Sequence, residues 1–367
     1  MKTIAPDYYP SFKCKIDRCR TACCDGWPVT FSMKDYFRLL SADCSAELKR
    51  KLDVSLHLTR HPTEAEYGML LPGYDGRCPI RLPDGRCALQ AEAGEAALPA
   101  VCRQYPRSLR PGEASCANSC EAVIELLDRE APLRFLSIEG EAAAPVPRTH
   151  FFETDGREME IRLWLISIVQ DRNMPIPSRL VRLGEAMRRL DEALNAHDSD
   201  TVEGLLSGRI GIETPTLSGD RETGLLTVKH LLKRLDNLSD SIREYGEMAL
   251  SHFEQEGALS EQVILARLRQ ASPRWEPWFE NMLVNHMFFS QFPFQDRPVS
   301  LTEEVAALYA VYALLRFLSL GAGDGTREKQ SDIAAALFRL VDHTAFDRYA
   351  VPILKEIDID EKALLMV

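Results

Sequence analysis

The sequence predicts a mainly α protein: a cysteine-rich, irregular N-terminal module with short strands and a hairpin, followed by an α-helical body. Three observations lead there. All ten cysteines of the 367-residue chain fall before residue 121. The charge divides at the same place: residues 1–120 carry 17 Lys and Arg against 14 Asp and Glu, and the other 247 carry 27 against 41. Apolar residues recur at helical spacing beyond about residue 150, whereas Gly, Pro and Asp interrupt any pattern before it. The expected organisation is a cysteine-rich metal- or cluster-binding module over residues 1–145 and an α-helical domain over 146–367.

Composition narrows the function. Apolar residues make up 45% and charged residues 27% of the chain, which suits a folded globular protein and excludes disorder. A net charge of −11 argues against a general nucleic-acid binder, which carries a basic surface. The opening MKTIAPDYYP lacks the apolar core of a secretory signal. The longest apolar run, Val305 to Leu315, is ended by Arg316, short of the roughly 20 residues a spanning helix needs. The expectation is a cytoplasmic protein with neither membrane nor nucleic acid as partner. In a reducing compartment ten thiols point to metal ligation or redox chemistry before disulfides.

In chain order, VTFSM, GMLLPG and CPIRL are short strand candidates within the front module. Asp84-Gly85 predicts a two-residue hairpin turn with both central residues at positive φ. That turn sets Cys87 opposite Leu82 and Arg86 opposite Pro83. On an ideal ladder Cys78 and Cys87 then share a face but lie roughly 14 Å apart at about 3.4 Å per residue. One ion reaches both only if the chain bends, and Pro79 is the place for it. EGEAAAPVPR (139–148) is a linker by composition. Ser178–Asn195 places Val181, Met187, Leu190 and Leu194 on one helical face. Further helices are expected near 227–255, 260–271, 276–290, 303–319, 331–343 and 346–356, with a loop over 207–224. Ser300 and Glu303 form a capping-box pattern. Gly321-Ala-Gly323-Asp-Gly325 has the outline of a nucleotide loop, but no strand precedes it, so an interhelical loop is expected.

The cysteines run Cys14-x4-Cys19-x3-Cys23-Cys24, then Cys78-x8-Cys87-x14-Cys102, then Cys116-x3-Cys120. Such density suits a soft metal or an iron–sulfur cluster, which needs several thiolates in a small volume. Spacing alone leaves iron–sulfur, structural zinc and neither as alternatives. It favours iron–sulfur, because the adjacent pair fits no zinc knuckle and eight thiols exceed the four that one zinc takes. The C-x3-C-x2-C pattern of radical S-adenosylmethionine enzymes is absent.

Four blocks carry a resemblance: YYPSFKCKIDRCRTACCDGW, CPIRLPDGRCALQ, LPAVCRQYPRSL and, far downstream, ENMLVNHMFFSQFPF followed by YAVYALLRFLSLG. Together they resemble the flagellin lysine N-methylase family, which sits within a broader group of cysteine-cluster proteins associated with zinc or iron chelation. The resemblance implies methylation of lysines on flagellin, with S-adenosylmethionine as donor and a cysteine-ligated centre, a 4Fe-4S cluster more than zinc. It implies as metal ligands Cys14, Cys19, Cys23, Cys24, Cys78, Cys87, Cys102 and Cys120. Arg103 and Arg107 share a block with Cys102 and are candidates for hydrogen bonds to cluster sulfurs or an anionic cofactor; solvent-facing helix-end charges are the alternative. Cys44 reads as an ordinary small residue in a helix, and Cys116 is ambiguous as a partner for Cys120. Asp25-Gly26-Trp27 closes the cysteine loop, His57 and His61 read as surface residues, and His286 lies near Glu280 and Asn285. No residue stands out as catalytic. A non-enzymatic metal- or cluster-binding adaptor with a helical docking domain is the competing reading.

Overall fold

The computed structural model describes residues 2–140 and 152–367, apart from 16–17, 21–22, 24–28, 75, 218, 236–241, 296–299, 345 and 358–359. Most of the expected linker, including 141–148, lies outside the described residues. The chain forms two compact units, one of Met1–Ser11, Leu109–Ser119 and Val123–Val367, the other of Phe12–Ser108 and Cys120–Ala122.

Strand β1 (Lys2–Pro6) belongs to the larger unit. The smaller unit follows with β2 (Val29–Phe31), α1 (Met33–Leu40), α2 (Ala46–Ser55), β3 (Leu56–Leu58), β4 (Gly68–Leu70), α3 (Ala88–Ala93) and α4 (Ala100–Gln104). Its three strands pair antiparallel in the order β2–β4–β3, with Val29 and Leu56 both opposite Leu70. Val29, Phe31 and Leu70 alternate inward and meet Leu39, Leu48, Leu52, Leu89 and Leu98 in one apolar core, as the two-residue period of a half-buried strand requires. The helices α1 and α2 exceed the irregular structure expected here. Each is started by a serine whose hydroxyl accepts an orphan N–H, Ser32 from Asp35 and Ser45 from Leu48, a device that compensates for a short apolar stripe.

The hairpin at Asp84-Gly85 differs by one residue from expectation. Cys87 pairs with Arg81, not Leu82. Gly85 donates to the Leu82 carbonyl at 3.0 Å and Leu82 to the Arg86 carbonyl at 2.8 Å. Only Gly85 takes positive φ, at 91°. Proline explains the shift: Pro83 has its φ locked negative, which suits the second position of an ordinary turn and pushes the left-handed residue to Gly85 alone.

The larger unit holds β5 (Arg107–Arg110), β6 (Glu113–Cys116), α5 (Glu121–Leu127), β7 (Phe135–Glu139) and ten further helices among the described residues; β5 and α5 begin in the smaller unit. The sheet runs β5–β6–β1–β7, with β1 parallel to β6 and antiparallel to β7. The helices are α6 (Glu158–Val169), α7 (Ile176–Asn195), α8 (Ser199–Leu206), α9 (Arg221–Leu235), α10 (Arg243–Glu256), α11 (Glu261–Ala271), α12 (Trp275–Phe289), α13 (Leu301–Ala322), α14 (Arg327–His343) and α15 (Phe346–Ile357). All four apolar residues chosen for α7 are buried, and Ser300 and Glu303 make the reciprocal capping box at the start of α13. The expected loop over 207–224 ends early, because Asp220 accepts the Thr223 N–H at 2.9 Å and opens α9.

Helix α13 is the axis of this unit, packed by α7, α9, α10, α14 and α15. At 22 residues it far outruns the eleven-residue apolar segment read from the sequence, and it is long and apolar enough to span a bilayer by length and composition, but 89% of that window is buried inside the protein. Gly321 lies within it, where a Cβ would stand 2.6 Å from the Ala249 backbone. The Gly321–Gly325 run therefore ends one helix and leads to the next, as expected of an interhelical loop.

Candidate metal centre

Among the described residues of the cysteine-bearing segment after Phe12, two points are held by side-chain contacts from one residue. That residue is Glu121, in the first turn of α5 and immediately after Cys120. Its side chain is 1% exposed. Oε1 accepts the Lys15 ammonium at 3.1 Å and Oε2 the Arg20 backbone N–H at 3.0 Å. The stretch between Cys14 and Cys23 is thereby tied to the residue beside Cys120. Burial pushes the Cys19 thiol up to about 12, with Glu121 and the thiols of Cys120, Cys14 and Cys23 acting the same way. A thiol in that environment keeps its proton near neutrality, and a bound cation removes the repulsion that keeps it there.

Cys78, Cys87 and Cys102 are carried by firmer structure. The chain turns at Pro79, where the Arg81 N–H donates to the Cys78 carbonyl at 3.0 Å, the bend that the spacing demands. Cys87 stands just before α3, and Cys102 lies in α4. Cys78 is buried in the apolar core of the smaller unit, and Cys87 and Cys102 pack against it. The start of α4 is set by Asp35, whose Oδ2 accepts the Ala100 N–H at 3.1 Å. Arg38 pairs with Asp35 and donates to the Leu98 carbonyl at 2.7 Å. Burial pushes the Cys102 thiol up to about 12, reinforced by Cys23, Cys87 and Asp35. Burial also raises Cys87, against the pull of the amides at the start of α3.

Thiolates are the donors a soft cation prefers, and Glu121 and Asp35 add negative charge beside Cys19 and Cys102 respectively. Among the described residues no three ligand side chains stand close enough to hold a single ion. Cys24, like Asp25, Gly26 and Trp27, lies outside the described residues.

The remaining candidates fall elsewhere. Cys44 lies in the irregular segment before α2 rather than in a helix, because Ser45 caps α2 after it; it packs against the apolar core. Cys116 is fully buried at the end of β6 in the larger unit, whereas Cys120 belongs to the smaller one. Arg107 donates to the Phe12 carbonyl at 3.1 Å and lies 4.7 Å over the Phe12 ring, which fixes the entry to the cysteine segment. Arg103 donates to the Ala96 carbonyl at 3.3 Å. His57 and His61 are exposed.

The downstream block forms α12, which is polar where it meets backbone. Asn285 donates to the Cys116 carbonyl at 2.9 Å and to Asn118 Oδ1 at 2.6 Å, and accepts from the Tyr8 hydroxyl at 2.7 Å. His286 Nδ1 pairs with Asp342 Oδ1 at 2.8 Å, and Asp342 Oδ2 accepts the Asn118 N–H at 2.8 Å. Asn281 donates to the carbonyls of Leu127, Arg129 and Ala131. Glu280 is enclosed by Arg172 and Arg179. Asn285 and Asp342 satisfy backbone groups at and just after the end of β6, and Asn281 satisfies those from the end of α5 to Ala131. Neither Glu121 nor the Asn285 network was identified from the sequence. For Glu121 the available signal was an acidic residue next to a candidate ligand at a helix start.

A model of the FliB lysine N-methylase C-terminal domain matches residues 162–366, more than half of the chain and including α12 and α13. No curated protein and no solved structure matches the chain.

Proposed function

The chain belongs to the FliB lysine N-methylase family, and from that premise we propose that it methylates lysine side chains of flagellin in the cytoplasm, with S-adenosylmethionine as donor and a cysteine-ligated iron–sulfur centre in the smaller unit. The family match over residues 162–366 carries this reading. The density of cysteines before residue 121 supports its metal part. The ligands would come from Cys14, Cys19, Cys23, Cys24, Cys78, Cys87, Cys102 and Cys120, with Glu121, Asp35 and Arg107 fixing the segments that bear them. Bound there, an iron–sulfur centre would supply redox or Lewis-acid chemistry and crosslink the segments that bear the cysteines. Methyl transfer itself requires a neutral lysine amine: the ammonium loses its proton, nitrogen bonds to the methyl carbon and the carbon–sulfur bond of the donor breaks.

The test is incubation of metal-replete protein, purified without oxygen, with flagellin and S-adenosylmethionine labelled in its methyl group. Label on flagellin lysines is expected. Absence of label with metal retained overturns the methylase reading in favour of a metal-binding adaptor. Iron and sulfide in equal amounts would fit the cluster, and stoichiometric zinc without iron would replace it with a structural site.

A further inference from the structure

We infer that an exposed aromatic face of the smaller unit, built by Tyr36, Phe37 and Tyr67, binds methylated lysine side chains, so that the chain recognises its own product. The inference rests on the lysine-methylase reading for the ligand and on ring geometry for the place. Tyr36 and Phe37 lie in α1, and Tyr67 directly precedes β4, whose Gly68 pairs with Phe31 of β2 just before α1. The Tyr67 N–H donates to the Phe31 carbonyl at 2.9 Å, and the Met33 N–H to the Glu64 carbonyl at 2.9 Å. The ring centroids form a nearly equilateral triangle: 5.5 Å from Tyr36 to Phe37, 5.3 Å from Tyr36 to Tyr67 and 5.9 Å from Phe37 to Tyr67. Tyr36 stands at 90° to Phe37 and 71° to Tyr67. Gly68 seats it there, because a Cβ at that position would overlap the Tyr36 ring.

Core packing accounts for Tyr36 but not for Phe37. Tyr36 lies against the apolar core of the smaller unit. Phe37 is 53% exposed, and Met33, one helical turn before it on the same face, is 37% exposed. Tyr67 is half-buried. Electron-rich ring surface is thus held in water in a fixed arrangement. A cation seated over the middle of the triangle lies within the roughly 6 Å at which ring quadrupoles attract it, and does so for all three rings. Net charge does not choose the ligand here, since the exposed Glu64 and Glu66 are offset by the exposed Lys34 and Arg60. The rings therefore favour a cation that loses water cheaply. Methyl groups make a lysine ammonium such a cation by replacing its N–H donors, whereas the unmodified ammonium is compact and strongly hydrated.

Binding measured without any methyl donor tests this separately from catalysis. The full-length chain is titrated calorimetrically with peptides whose central lysine is unmodified, dimethylated or trimethylated, and with the neutral isostere in which carbon replaces the trimethylated nitrogen. The trimethylated peptide should bind about tenfold more tightly than the unmodified one and about threefold more tightly than the neutral isostere. With 13C in its methyl groups, their proton resonances should move upfield on binding, the ring-current signature of aromatic faces. Phe37→Ala, a change at an exposed position, should weaken binding about fivefold without altering the circular dichroism, and Phe37→Tyr should keep it. Equal affinity for the trimethylated and neutral peptides overturns the inference, as does undiminished binding by Phe37→Ala. Absence of binding by the wild-type chain also overturns it and leaves the methylase reading to the labelled-donor assay. Selective binding without transfer in that assay supports the aromatic site and overturns the methylase reading.

Discussion

Glu121 Oε2 accepts the backbone N–H of Arg20 at 3.0 Å while its other oxygen holds the Lys15 ammonium at 3.1 Å. One buried carboxylate thus fixes two points of the cysteine-bearing segment. It also opposes ionisation of Cys19, so positioning and charge pull in opposite directions, and substitutions can separate them. Glu121→Ala removes both partners' acceptor and should weaken zinc binding about tenfold or more, in line with the roughly 1.5–3 kcal/mol of a hydrogen bond to a charged group. Glu121→Gln keeps an acceptor for Arg20 and removes the repulsion, so its loss should be much smaller. Chelator competition measures both. Equal affinity in Ala and wild type would show that Glu121 does not position the ligands.

The contacts of Asn285 should be among the more sensitive in the larger unit. The residue is fully buried and serves Tyr8, Cys116 and Asn118 at once. Asn285→Ala strands several of these groups, at about 1–3 kcal/mol for each buried group left without a partner. Tyr8→Phe removes only the hydroxyl and should cost less. The double variant should be less destabilised than the sum, because both changes disrupt one network. Thermal unfolding of the four proteins measures the coupling, and strict additivity would contradict it.

Gly321→Ala should destabilise the fold by far more than the loss of a flexible loop residue. A Cβ there would lie 2.6 Å from Ala249 Cα and 2.7 Å from Ala249 Cβ, so α10 and α13 must move apart. Forced overpacking of this kind costs about 1–3 kcal/mol. By contrast, Gly325 has open space around it, and Gly325→Ala should cost only the strain of its positive φ, about 1 kcal/mol. Comparing the two unfolding midpoints distinguishes close helix packing from turn conformation.

The helical body was legible wherever a helix had one dry face or a cap. Val181, Met187, Leu190 and Leu194 marked α7, and Ser300 with Glu303 marked the entry of α13. The pattern failed in α6 because apolar residues also stand on its outer face. Ile161, Leu165, Ile166, Ile168 and Val169 are buried at helical spacing, but Leu163 and Trp164 are only half-buried, so the sequence shows a nearly continuous apolar run instead of a clear 3.6-residue period. At the candidate centre, cysteine density named candidate donors, but what holds their segment depends on contacts more than 100 residues apart, such as Arg20 with Glu121. No local pattern encodes such a pair. Pro83 carried the one-residue correction to the hairpin, a steric fact that the Asp-Gly signal alone obscured.

Acid should destabilise the larger unit partly through His343. Its Nε2 lies 2.7 Å from the buried Ser119 Oγ. Loss of hydration lowers its affinity for a proton, Arg339 acts the same way, and Asp342 opposes them. The residue as a whole keeps contact with solvent, so the effect is a slope in the stability curve and not a collapse. In the unfolded chain its imidazole titrates near 6.5. With the folded value depressed, the unfolded state binds more protons below that point. The stabilisation is therefore fully present above about pH 6.5 and is lost as pH falls through the depressed folded value. Stability measured between pH 8 and pH 5 should fall less steeply in His343→Gln than in the wild type, by at most one proton's worth of slope. Identical slopes would mean that His343 keeps its ordinary affinity in the folded protein.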